Sequence, residues 1–342
     1  MQNKVYFKTH EINSVQEAMN IFSSDGKCRH IADTSNTLSD SYVFRGQKNK
    51  RYKLVPSVLR EDEWENIYKL ANDACSVTNH DWEITQISVE YNIIKRFYNL
   101  ADKTGLDIPQ VPLLRNSIDS EIDTFMGSLS LPTQPKEWLP DELYEIAGLA
   151  QHYGLPTRLL DWTYDYKVAL YFAVSGIYNN KDRRADCVLW ALNQGSFNLV
   201  NSEKYLCPLR FFRPSYHNNK FLSAQKGLFS TWKIPETGDL SSLKESNGRK
   251  AEPINRCPLD ELIIDFVDRY IKDGKINPDD FEKNKILYQF IIPAKLKNDI
   301  LTELGRNGYS EEYLFPGFQN VVSKLKSQGR LPEIQDELEI ML

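Results

Sequence analysis

One short run, from Gln151 to Thr163, brings together many side chains that are capable of chemistry. It holds histidine, tyrosine, arginine, aspartate, tryptophan and threonine across a predicted helix end, a turn and a strand end. Side chains at such junctions can converge on one cleft. The candidate catalytic and binding residues of the run are His152, Tyr153, Arg158, Asp161, Trp162 and Thr163.

Each residue of this run also has a structural alternative. Arg158 and Asp161 can pair with each other, since polar residues at element ends usually satisfy local groups. His152 can cap the carboxyl end of its helix, and Trp162 can belong to the core. Taken singly, each residue favours the structural role, whereas the run as a whole favours a site.

A second candidate segment, Phe44-Arg45-Gly46-Gln47, lies at the end of a predicted short strand that Gly46 closes. Arg45 at a strand end offers a planar, permanently charged group that suits a pyrophosphate or a carboxylate. Gly46 would allow the backbone to approach a ligand closely. The alternative is a strand-end arginine that pairs with a carboxylate in a tight turn.

The elements that must position these residues form an irregular series of helices and strands. The helices are unevenly spaced and mixed with short strands, without regular βαβ alternation. This pattern predicts an α+β fold with a mixed, mainly antiparallel small sheet or sheets flanked by helices. The periodicity of apolar residues predicts helices over Ser14–Asp25, Asp81–Ala101, Asp141–His152 and Tyr164–Tyr178, and strands over Tyr42–Arg45, Thr157–Asp161, Asp186–Leu192 and Lys285–Ile292.

Composition narrows the class of protein. With 342 residues, 41% of them hydrophobic and 26% charged, the chain can bury a sizeable core. The five scattered cysteines lack a CxxC pair, so we expect neither a disulfide framework nor a metal site. Phosphate-binding loops of the GxGxxG and GxxxxGK[ST] types do not occur in the sequence.

The sequence predicts no membrane contact and a cytoplasmic location. No apolar run approaches the roughly 20 residues of a membrane span, and Met1 to Lys8 is not followed by the apolar core of a secretory signal. The net charge of −5 provides no overall attraction to nucleic acid, so such binding would need a local patch. Two basic stretches, Arg45–Lys53 and Arg210–Lys226, are either such patches or solvated faces.

Several motifs together resemble the FRG domain, a bacterial family named for its Phe-Arg-Gly motif. They are Phe44-Arg45-Gly46-Gln47, Leu54-Val55-Pro56-Ser57-Val58-Leu59-Arg60, Gln151 to Thr163 with Ala169 to Ala173, Gln225-Lys226-Gly227-Leu228-Phe229, and Leu314-Phe315-Pro316-Gly317. Gly317-Phe318 departs from the Asp-Leu that more often follows in the family, and Lys226 stands where a second glutamine is common. The resemblance implies an FRG domain over about 41–325 with a helical insertion at about 61–140, preceded by a helical extension, 1–40, and followed by a tail, 326–342. The polar, Gly- and Ser-bearing composition of about 237–253 predicts a mobile loop there.

The FRG domain in turn resembles the arginine-type ADP-ribosyltransferases, which implies an ADP-ribosyltransferase-like core with helical insertions and NAD as the substrate. In that branch a first strand carries aromatic-Arg-Gly, a second carries Ser or Thr, and a later strand carries Glu. The resemblance gives catalytic roles to Arg45, His152, Arg158, Asp161, Thr163 and Glu312, with Glu311 beside it, and cofactor-binding roles to Phe44, Arg45, Gly46, Gln47, Tyr153, Trp162, Tyr171 and Gln225.

Three functions remain open at this point. The leading hypothesis is an NAD-dependent ADP-ribosyltransferase, acting as a toxin or defence effector on nucleic acid or protein and neutralised by an antitoxin partner. The second is a nucleic-acid-binding or nuclease module, with His152 and Asp161 as an acid and base pair. The third is a non-enzymatic domain that senses a nucleotide or a partner protein.

Overall fold

The computed structural model describes residues 4–23, 42–71, 83–115, 137–178, 182–195, 207–216, 219–234, 253–281, 285–317 and 325. The tail predicted at 326–342 lies outside these residues, as does the loop predicted at 237–253 except for its last position. The predicted domain boundaries stay predictions.

One seven-stranded sheet organises the described part of the chain. Its order in space is β1-β7-β4-β2-β3-β6-β5, and every neighbouring pair is antiparallel except β1 with β7. The predicted α+β class with a mixed, mainly antiparallel sheet is therefore confirmed. The strands are β1 Phe7–Glu11, β2 Tyr42–Gln47, β3 Leu160–Thr163, β4 Cys187–Asn193, β5 Leu209–Phe212, β6 Gly227–Trp232 and β7 Leu287–Ile292.

The helices pack on both faces of this sheet and against one another. Short 3-10 turns precede or follow several of them, including Ser57–Leu59 after β2 and Asp141–Leu143 before the helix that begins at Tyr144. Within the described ranges the α-helices are α1 Val15–Asn20, α2 Trp64–Leu70, α3 Glu83–Lys103, α4 Pro112–Arg115, α5 Tyr144–His152, α6 Tyr166–Val174, α7 Lys220–Ala224, α8 Leu259–Lys272, α9 Lys297–Arg306 and α10 Glu311–Leu314.

Alternation along the strands separates two apolar layers. On one face Tyr42 and Phe44 join a buried cluster with α1, α6 and α9. On the other face Val43 and Trp162 join a cluster with α8. A third cluster packs α3 against α5, and it includes Phe229 of β6. Burial on both faces accounts for β4, in which every residue is buried.

The long, strongly periodic elements agree with the sequence predictions, whereas three short strands were not predicted. The structure confirms helices at α1, α3, α5 and α6 and strands at β2, β3, β4 and β7, with boundaries that differ by a few residues. β1 and β5 lie at the two edges of the sheet. Edge strands pair on one side only and are less buried, so their sequences carry a weaker apolar pattern. β1 lies within 1–40, so the segment expected to be a helical extension also adds a strand to the sheet.

Gly46 allows helix α6 to lie directly on strand β2. A Cβ at this position would be 1.9 Å from the carbonyl oxygen of Ala169 and 2.6 Å from the amide nitrogen of Ala173. Both atoms belong to the backbone of α6, so no side-chain rotation can relieve the overlap. The glycine of the Phe-Arg-Gly motif is therefore required by helix packing.

We predict that Gly46→Ala destabilises the protein by about 3 kcal/mol, since α6 must move away from the sheet and lose buried contacts. Gly305→Ala in α9 is the matched control, because a Cβ there meets nothing within 4 Å and helix propensity favours alanine by about 0.5–1 kcal/mol. Chemical denaturation measures both changes. Equal stabilities of the two variants would contradict this account of Gly46.

Candidate functional site

The candidate site lies where β2 and β3 separate. β2 pairs with β4 over six residues and β3 pairs with β6 over four. Between β2 and β3 the register contains a single pair, Phe44 with Thr163. Arg45 follows the first of these residues and Asp161 lies two residues before the second. Both therefore stand where regular backbone pairing between the strands has ended.

The guanidinium of Arg45 spans this gap. Its Nη1 donates to the backbone carbonyl of Asp161 at 2.7 Å and to the Asp161 carboxylate at 3.3 Å. Its Nε is buried, and neither Nε nor Nη2 has a hydrogen-bond partner among the described residues. Leaving a buried donor unpaired costs about 1–3 kcal/mol. Nη2 is not among the buried unpaired atoms, so it is the donor that an anion at the surface could reach.

Gln151 holds the Asp161 carboxylate in place. Its Nε2 donates to Asp161 Oδ1 at 2.6 Å, and its Oε1 accepts from the hydroxyl of Thr157. Asp161 thus receives one donor on each carboxylate oxygen while its side chain remains 60% exposed. An oriented carboxylate that faces solvent is available to a ligand.

His152 lies at the end of α5, and the negative charge of Asp161 acts on its ring. Burial lowers the pKa of His152, and the Asp161 carboxylate opposes this effect in part. The ring contacts Phe221 with 5.2 Å between centroids, and it makes no hydrogen bond to any described residue. His152 is therefore neutral near pH 7 and able to accept a proton.

Thr163 and Gln225 connect the ends of β3 and β6. The Thr163 hydroxyl donates to the Gln225 carbonyl at 2.6 Å and accepts from the amide of Asp165, whose side chain caps α6. The Gln225 side chain donates to the Leu314 carbonyl at 3.1 Å and so ties α10 to this edge. Within α10, Glu311 is exposed and Glu312 is half-buried.

Arg158 faces away from Asp161 and into the interior. It is 3% exposed and pairs with Glu83 at 2.6 Å and with Glu90 at 2.7 Å, both on α3. Glu90 also accepts from the ring nitrogen of Trp138 at 2.7 Å. The expected pairing of Arg158 with Asp161 does not form, because Arg158 instead links the turn before β3 to α3.

The remaining predicted binding residues divide into buried and exposed positions. The buried ones are Phe44 and Tyr171 in the core on the α6 side, Trp162 bonded to Ser230, and Gln47 bonded to Trp190 and Lys53. Tyr153 is 71% exposed and lies edge-on to His152. The structure thus brings Arg45, His152 and Asp161 together, whereas the buried side chains serve the fold.

Two residues at this site were not predicted from the sequence, Gln151 as an orienting group and Arg60 as a second cation. Arg60 follows the 3-10 turn after β2, and its pKa is lowered first by burial and then by the charge of Arg45. The signal was present in the sequence, since Gln151 begins the candidate run and Arg60 ends the Leu54 to Arg60 motif.

Comparison with protein-family models matches the FRG domain over residues 115–182. This stretch includes α5, β3 and α6, and therefore Gln151, His152 and Asp161. The chain carries an FRG domain. The match begins after Phe44-Arg45-Gly46, so it does not include the motif for which the family is named. In the structure, the contact of Arg45 with Asp161 connects that motif to the matched segment.

No curated protein and no solved structure was found to match this FRG chain. The ADP-ribosyltransferase-like core implied by the sequence resemblance therefore stays a prediction. In the part of the chain that the structure covers, no helix is long and apolar enough to cross a membrane. The same residues contain no cluster of His, Cys, Asp or Glu side chains that could hold a metal ion.

We predict that Arg158→Met destabilises the FRG protein by about 3–5 kcal/mol, because it leaves two carboxylates buried without their cation. Arg306→Met is the matched control, since Arg306 forms an exposed pair with Glu303 in α9 and such pairs contribute little. Urea denaturation compares the two. A loss for Arg158→Met no larger than that of the control would contradict the structural role.

A second prediction concerns pH. Because the pKa of His152 is lower in the folded protein than in the unfolded chain, the unfolded chain binds the proton more readily below pH about 6.5. The free energy of unfolding should therefore fall more between pH 7 and pH 5 for the wild type than for His152→Gln. Denaturation at both pH values measures the difference, and parallel pH profiles would contradict it.

Proposed function

We propose that this FRG protein binds NAD at the junction of β2 and β3 and transfers its ADP-ribosyl group to a macromolecule. The observation that carries the proposal is the Arg45–Asp161 pair, in which a guanidinium with unpaired donors adjoins an oriented, exposed carboxylate. NAD presents matching groups, namely an anionic diphosphate and a ribose that becomes cationic as its bond to nicotinamide breaks.

In the proposed reaction the bond between ribose C1′ and the nicotinamide nitrogen breaks, and its electron pair goes to nicotinamide. A nucleophilic oxygen or nitrogen of the target then bonds to C1′ and loses a proton. The transition state resembles an oxocarbenium ion, so a nearby carboxylate stabilises it. Arg45 would bind the diphosphate, Asp161 would face the ribose, and neutral His152 would accept the proton.

The choice of Asp161 as the carboxylate rests on the strand neighbours of β3. The resemblance to ADP-ribosyltransferases implies a glutamate on a later strand, and one later strand is the neighbour of β3 on the side away from β2. Here that neighbour is β6, which contains no carboxylate and follows Gln225 and Lys226. Asp161 already adjoins Arg45, so here it takes precedence over Glu311 and Glu312 of α10, the carboxylates that the sequence placed first.

The biological setting of the proposal is a toxin or antiphage defence effector. The FRG domain is consistent with such a module, and the family resemblance suggests a target that is protein or nucleic acid, with RNA as the nucleic acid to test first. A neutralising antitoxin protein would then protect the producing cell, and the expected location is the cytoplasm.

The alternative of a receptor that binds a nucleotide without turnover is favoured by one observation. Gln225, two residues before β6, cannot supply the negative charge that a glutamate there would provide, and its side chain donates to the Leu314 carbonyl. The nuclease alternative is less well supported, because Lys50 and Lys53 of its basic stretch adjoin the carboxylates of Asp186 and Glu261.

We predict that Asp161→Asn lowers nicotinamide release from NAD by about 10²–10³-fold, as removal of one electrostatic partner of the transition state typically does. The asparagine keeps the shape and the acceptor for Gln151 but lacks the charge. Asp102→Asn is the control, since Asp102 lies on α3 and pairs with Arg115 of α4, and neither residue belongs to the candidate site. Chromatography of the reaction products measures nicotinamide.

Arg45→Ala should abolish the same activity while the protein remains folded. Growth of cells that express the wild type, compared with cells that express Arg45→Ala, extends the test to toxicity. A folded Arg45→Ala variant with full nicotinamide release would contradict the proposal. Saturable NAD binding by a wild type that releases no nicotinamide would favour the receptor instead.

A further inference from the structure

Arg60 is brought to the site by a segment that docks on the turn before β3. The amide of Val58 donates to the Thr157 carbonyl at 3.4 Å, and the amide of Thr157 donates to the Ser57 hydroxyl at 3.2 Å. Thr157 in turn contacts Gln151, the residue that orients Asp161. The 3-10 turn that ends at Leu59 therefore brings Arg60 to the side of the site where the charges of Arg45 and Asp161 act on it.

The guanidinium of Arg60 is largely unused by the protein. Its Nε donates to the Val55 carbonyl at 3.3 Å. In the described ranges it forms no ion pair, and its two terminal nitrogens have no hydrogen-bond partner. The pKa of Arg60 is lowered by burial and then by Arg45, against the opposing charges of Asp62, Glu63 and Asp161.

Two guanidiniums that repel each other are held together here without a dedicated carboxylate for each. Asp161 contacts Arg45 and is also held by Gln151. The Nη2 of Arg45 and the terminal nitrogens of Arg60, which have no hydrogen-bond partner among the described residues, thus leave several donors for an incoming anion. Arginine pairs are suited to phosphate groups because each planar fork can donate two hydrogen bonds.

A row of aromatic rings that begins at His152, on which the charge of Asp161 acts, favours a nucleotide over a bare anion. His152 lies 5.2 Å from Phe221, Phe221 lies 6.3 Å from Phe315, and Phe315 lies 5.9 Å from Phe172, between ring centroids. All four side chains are half-buried. Such a row offers faces and edges against which a planar base can pack.

We propose that Arg60 is a binding residue that acts with Arg45 as a clamp for the diphosphate of a nucleotide, one guanidinium to each phosphate. The clamp rests on the proposed function in placing the ligand at this site. The clamp concerns binding only and involves no bond cleavage. A binding experiment can therefore contradict the clamp without contradicting the proposed reaction, and an activity experiment can do the opposite.

Isothermal titration with ADP-ribose, which has the diphosphate but no nicotinamide, tests the clamp. We expect the wild type to bind ADP-ribose more tightly than adenosine, and pyrophosphate to displace ADP-ribose. Arg60→Gln should weaken ADP-ribose binding by about tenfold to a hundredfold, the value of one hydrogen bond to a charged group. Arg60→Lys should recover part of the loss, and the exposed Arg306→Gln should bind like the wild type.

The thermal midpoint of ligand-free Arg60→Gln should remain close to that of the wild type, which separates lost binding from lost folding. Unchanged ADP-ribose affinity in Arg60→Gln would overturn the clamp, as would equal affinities for ADP-ribose and adenosine or the absence of ADP-ribose binding. Arg60-dependent binding without nicotinamide release from NAD would retain the clamp and remove the proposed reaction. If the wild type releases nicotinamide and Arg60→Gln releases it equally fast at low NAD concentration, the proposed reaction is retained and the clamp is removed.

Discussion

The hydrogen bond from Arg45 to the Asp161 carbonyl determines how the site is built. β2 and β3 share one register pair, and beyond it a side-chain guanidinium takes the place of a backbone donor. Full pairing would leave no room for a ligand between the strands, whereas full separation would expose the core beneath them. The backbone pair keeps the sheet continuous, while the arginine bridge extends the contact between the strands and leaves charged groups at their surface.

The three residues of the Phe-Arg-Gly motif perform three different tasks. Phe44 is buried and contacts the rings of Phe22 and Tyr166, which lie on the same side of the sheet as α6. Gly46 lets α6 contact the strand directly, as its backbone distances show. Arg45 points to the opposite side of the strand from these two, and it alone of the three reaches Asp161 with its side chain. A motif can thus combine packing and chemistry because successive strand residues point in opposite directions.

Periodicity predicted the fold better than chemistry predicted the roles of individual residues. The apolar stripe of α3 and the alternation in β2 are local signals, so both elements could be read from the sequence. The direction in which Arg158 points is not local, because it depends on Glu83 and Glu90, which are more than sixty residues away. Arg60 was missed for the same reason, since its neighbour Arg45 is brought near by tertiary structure.

The central claim is that Arg45 and Arg60 hold the diphosphate of a nucleotide beside Asp161. A crystal structure of the protein with ADP-ribose tests it most directly. The account predicts diphosphate oxygens within about 3.2 Å of both guanidiniums, with the ribose next to the Asp161 carboxylate. A diphosphate bound to another basic surface, with Arg45 and Arg60 both free of it, would contradict the account.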